Sequence, residues 1–116
     1  MNLKDLTLKE FRKEAKKAAH RHAMQIVKQP FANKDAVEDV QETFYYGAVE
    51  YKLNIDKTIA PQNRLTVIDE IVEQAYRKFH EKNYFSGEQS EQLQRVIKED
   101  IMEGVKWAIT NWSKPQ

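Results

Sequence analysis

Acidic residues recur at helical spacing in three places along this chain: Glu38, Asp39 and Glu42; Asp69, Glu70 and Glu73; Glu99, Asp100 and Glu103. Two such groups on facing helices can hold Mg²⁺ through carboxylate oxygens. The three histidines do not extend that chemistry. His20 and His22 are two positions apart and so point to different sides of one helix. His80 precedes Glu81 with no second histidine one turn on, so no His-Glu-x-x-His zinc motif exists. His22 falls within an apolar stripe, where a histidine is ordinarily a core or boundary residue hydrogen-bonded to a neighbour. There is no cysteine, hence no thiol nucleophile, thiolate metal site or disulfide. No Gly-x-Ser-x-Gly occurs, and three scattered glycines build no phosphate loop.

Cations are the other conspicuous group. On a helical wheel Lys9, Arg12, Lys13, Lys16, Lys17, His20 and Arg21 share one broad arc, opposite Leu8, Phe11, Ala15, Ala18, Ala19, His22 and Ile26. Three readings fit this arc. It is a solvated face with local ion pairs, since Glu10 and Glu14 stand one turn before Lys13 and Lys17. It neutralises nucleic-acid phosphates. Or it docks on acid, either that of the second helix or that of a partner. Against nucleic acid stand the net charge of only +1 and the lack of aromatic residues among the cations to stack on bases. The apolar side of this helix is alanine-rich, with only Leu8, Phe11 and Ile26 bulky and no Trp, which suits helix packing and not insertion at a membrane surface.

These residues need helices to position them, and the periodicity supplies four, at about 7–28, 34–53, 62–82 and 88–112. Thr7 and Glu10 form a capping-box pair at the first start. Gln29–Pro30 breaks that helix and Asn33 caps the next. Pro61 or Thr66 marks the third start, and Ser86 with Gln89 or Ser90 the fourth. Helices of about 20 residues joined by short connections predict a single all-α domain, a four-helix bundle in antiparallel up-down order, with a short polar C-terminal tail. Gly47 and Gly104 sit on or beside apolar stripes, where a close backbone crossing would compensate the roughly 1 kcal/mol that a mid-helix glycine costs.

Glu70-x-x-Glu73, followed after 26 residues by Asp100-x-x-Glu103 and then by Val105 and Trp107, resembles the all-α nucleotide pyrophosphohydrolases of the MazG kind. The resemblance implies paired acids on neighbouring helices binding Mg²⁺ inside a bundle. It covers under half of the chain, and the second pair is Asp-x-x-Glu where that family has Glu-x-x-Asp. On the wheel, Glu70, Glu73 and Glu103 also turn away from the buried stripes, and Asp100 is intermediate.

Tyr45, Tyr46, Val49, Val96 and Trp107 lie off the main stripes. They either fill a bundle whose central helix touches two neighbours or form an exposed patch that binds protein. The N-terminus lacks the apolar core of a signal peptide and no uncharged run is long enough to span a bilayer, so the expected location is the cytoplasm. The sequence therefore predicts a helical-bundle interaction or regulatory protein that binds a protein partner or a second copy of itself. It assigns no catalytic residue, resident metal, cofactor or membrane. The alternatives are a nucleic-acid-associated protein using the basic arc and a Mg²⁺-dependent nucleotide pyrophosphohydrolase.

Overall fold

The computed structural model describes residues 2–26, 34–57, 64–82 and 91–112. They form a four-helix bundle: α1 (Leu8–Ile26), α2 (Lys34–Lys57), α3 (Arg64–Lys82) and α4 (Glu91–Thr110), preceded by a 3₁₀ turn at Leu3–Asp5. Thr7 starts α1 as the sequence predicts. Its backbone N–H donates to Glu10 Oε1 at 3.1 Å, and the Glu10 N–H donates to Thr7 Oγ1 at 3.2 Å. Two of the orphan donors at the helix start are thereby satisfied. α2 runs to Lys57, beyond the expected end near residue 53. The caps expected at Asn33, Ser86 and Gln89 or Ser90, the Pro30 break and the three connections that suggested up-down order lie outside the described residues.

α2 is the central helix, packing on α1, α3 and α4. Its closest neighbour is α4, and the reason is the pair of glycines. A Cβ at Gly47 would collide with the carbonyl oxygen of Ile101, and one at Gly104 with the carbonyl oxygen of Phe44. The two backbones therefore touch directly at the crossing the sequence suggested. Phe44 and Ala48 on one side and Ile101 and Val105 on the other are buried around it.

The core lies on both flanks of this crossing. Toward α3 it is largely aliphatic, built from Ile71, Val72, Ala75 and Phe79 against Ile97, Ile101 and Val105. Toward α1 it is narrower: Phe11, Ala15, Ala18, Ala19 and Ala23 are buried, so small side chains let α1 approach closely. Trp107 fills this side, 5.9 Å from both the Phe11 and the Phe44 ring. Ile26, expected on the buried stripe of α1, is instead 51% exposed, and Ala23 takes the inward position.

The N-terminal segment is an element the periodicity could not show. The Leu3 N–H donates to the Asn111 carbonyl at 3.0 Å and the Lys4 N–H to the Trp112 carbonyl at 3.1 Å. Those bonds satisfy acceptors just past the end of α4, and the Leu3 side chain is 1% exposed in the cluster of Phe11, Ala15, Ala48 and Ala108.

Candidate functional site

All seven residues of the predicted basic arc are exposed, while the opposite side of α1 is committed to the bundle. Three of them touch neighbours. Lys17 pairs with Glu14 at 3.6 Å, Lys16 lies 5.9 Å above the Tyr45 ring, and the Gln41 amide meets His20 Nδ1. Lys9, Arg12, Lys13 and Arg21 make no ion pair or hydrogen bond among the described residues. An exposed pair such as Lys17–Glu14 contributes only a few tenths of a kcal/mol, so it does little to hold the face. Two carboxylates of α2 are engaged on the other side of the bundle. Glu42 pairs with Lys82 of α3 at 3.1 Å, and Glu50 with Lys78 of α3 at 2.6 Å.

The predicted aromatic and aliphatic patch is distributed through the bundle. Tyr45, Tyr46, Val49 and Trp107 are half-buried and packed against the core clusters. Tyr46 meets Phe79 edge-on at 6.0 Å and is covered by Lys82, whose ammonium Glu42 and the Tyr46 hydroxyl hold above the ordinary lysine range. Val96 is the member that faces outward, at 49% exposure. α2 packs on three helices, one more than the two neighbours expected of a central helix, and Tyr45, Tyr46 and Val49 are half-buried there.

The acids of α3 and α4 lie where the wheel placed them. Glu70, Glu73 and Glu103 are exposed; Glu73 pairs with Lys98 at 2.5 Å and Glu103 with Lys106 at 3.6 Å. Among the described residues no three His, Asp or Glu side chains converge as a metal site. Asp100 is half-buried, and desolvation pushes its carboxyl up from the ordinary range; His22 opposes the rise, while Glu99 and Glu103 add to it. The His22 ring lies 4.9 Å from that of Phe44, and its Nε2 is shielded from solvent with no hydrogen-bond partner among the described residues, in place of the expected bonded neighbour. Beside it a crevice of about 380 Å³ separates α1 from α4, lined by Arg21, Glu103, Lys106 and Trp107.

Two features escaped the sequence reading. Glu50 is buried at 5% exposure, bonded by Lys78 and by the Asn54 amide at 3.1 Å, which also donates to Gln74 at 3.3 Å. Asn54 one turn after Glu50 was the available signal. The second is an open groove of about 660 Å³ between α3 and α4, with Val72 and Met102 in its floor and Asp69, Glu73, Glu91 and Glu99 along it.

No family model matches the sequence, and neither does any curated protein or solved structure. Among the described residues no helix is long and apolar enough to cross a membrane.

Proposed function

We propose that this is an interaction or regulatory protein that binds an acidic protein partner through the outer face of α1. The observation that carries the reading is the division of that helix. Five buried residues fix one side in the bundle, and seven basic side chains stand exposed on the other, four of them with no ion pair, hydrogen bond or ring contact among the described residues. A rigid helix bearing unpaired cations is pre-organised for an acidic surface, so little ordering opposes docking. Complementary charge also speeds encounter and makes it salt-dependent. Glu10 and Glu14 interrupt the cations, giving a mixed pattern better matched to a protein surface than to a uniform row of phosphates.

The second reading, nucleic-acid binding, is favoured by the same four unpaired cations, Lys9, Arg12, Lys13 and Arg21, and weakened by the near-neutral chain as a whole. The pyrophosphohydrolase reading lacks comparable support, because Glu73 and Glu103 sit outside the bundle against lysines.

Affinity capture with and without nuclease separates the first two. The expected result is a protein recovered in both arms and lost when Lys13, Lys16 and Lys17 are changed to Glu. Recovery of nuclease-sensitive material alone would sink the protein-partner reading. Salt-dependent retention on DNA or RNA, abolished by the same changes, would put nucleic acid in its place.

A further inference from the structure

We infer that the α3–α4 groove receives the basic face of α1 from a second copy of this chain, in a head-to-tail contact. The inference rests on the proposed role of that face and names one acidic surface that fits it. The groove has an apolar floor at Val72 and Met102, beneath a rim where four carboxylates outnumber two cations. Glu73 is taken by Lys98. Asp69, Glu91 and Glu99 are exposed and have no ion pair among the described residues. The opposing face presents Lys9, Arg12, Lys13 and Arg21, equally exposed and unpaired.

The dimensions agree. Lys9 to Arg21 spans about 18 Å at the α-helical rise, and Glu91 to Met102 about 16 Å. Between Lys9 and Arg21 the basic face carries no large apolar side chain, and Met24, 56% exposed, follows one turn on; the methylene stems of Lys and Arg can cover Val72 and Met102 while their charged ends reach the rim. Charge and shape therefore meet along one helix length. Each copy carries both halves of the contact on different surfaces, so the interface is heterologous: it propagates into rings or open chains and does not close as a two-fold dimer.

Sedimentation of the full chain tests this with two charge-reversed variants. Arg12→Glu with Lys13→Glu blocks the basic face and leaves the groove; Asp69→Lys with Glu99→Lys does the reverse. All four positions are exposed, and circular dichroism verifies that both variants fold. At about 20 mM salt the wild-type mass is expected to rise with concentration past that of a dimer, and at about 500 mM salt, where charges are strongly screened, to fall to the monomer. Each variant alone is expected to stay monomeric. Their equimolar mixture is expected to associate again, because an intact basic face then meets an intact groove and the two reversed surfaces also oppose each other in sign. A wild type that stays monomeric at low salt, a mixture that fails to pair, or association indifferent to salt would each overturn the inference. If the wild type is monomeric but still retains an acidic protein through Arg12 and Lys13, only the head-to-tail contact is lost. If both are absent, the reading of the basic face falls with it.

Discussion

Single side chains in this bundle carry charge into places that set its response to pH. Asp100 is the clearest, since partial burial between α4 and the rest of the core raises its carboxyl above the ordinary range. A raised folded-state value means that ionising Asp100 opposes folding. The penalty is absent below the unfolded-state value and is fully present once pH has risen through the folded one. Asp100→Asn is therefore expected to raise the melting temperature at pH 7.5, with an advantage that shrinks as pH falls into the acid range. An equal gain at pH 3 would show that charge is not the cause. Glu10 behaves in the opposite sense. The Thr7 backbone N–H, then its side chain, hold the Glu10 carboxyl below its ordinary range, so its contribution is present at neutral pH and is lost as pH falls through the folded value. Thr7→Ala removes the cap itself and should cost about 1 kcal/mol in chemical denaturation; no change would mean that the helix start is held from elsewhere.

At the scale of elements, the α2–α4 crossing decides how the other helices sit. Helix propensity alone predicts that Gly→Ala at position 47 or 104 stabilises by about 1 kcal/mol. The structure predicts the opposite sign, because the new methyl meets a backbone carbonyl that no rotamer can move. Gly47→Ala and Gly104→Ala are each expected to destabilise by about 3 kcal/mol or more, or to prevent a cooperative transition in urea. A neutral or stabilising result would place the helices further apart than the structure does. This crossing was legible in the sequence because a glycine within an apolar stripe has few other uses. The four helices were legible for a similar reason, as was the outward turn of Glu70, Glu73 and Glu103: a 3.6-residue period fixes which residues share a face. Partner choice was less so. The same pattern that places Tyr46 beside the stripe does not say whether Phe79 or a partner covers it. Nor does periodicity reveal that Glu50, bonded by Lys78 of the next helix, would be buried. The basic arc was visible as an arc; that Lys9, Arg12, Lys13 and Arg21 make no ion pair among the described residues required the packing.

Across the whole molecule, the chain start closes the far end of the bundle. Leu3 and Lys4 donate backbone hydrogen bonds to the carbonyls of Asn111 and Trp112, while the Leu3 side chain is enclosed by residues of α1, α2 and α4. The tie joins the first residues described to the last ones, and it holds Trp112 where Phe11 and Tyr51 meet it edge-on, at 6.3 and 5.3 Å. Because α1 enters directly from this segment, the tie also fixes the end of the helix that displays Lys9, Arg12 and Lys13. Leu3→Ala removes a fully buried side chain and is expected to lower stability by about 2–5 kcal/mol. Two readings of Leu3 are separable. If it merely fills space, the variant unfolds earlier but binds the partner as before under native conditions. If it anchors α1, the variant in its folded state also loses protection from hydrogen exchange around residues 3–11, and its affinity falls with it. The anchor role is the expected outcome, since the backbone bonds and the buried side chain act on the same few residues. Exchange unchanged in residues 3–11 would overturn it, and the display of the basic face would then depend on the alanine stripe of α1 alone.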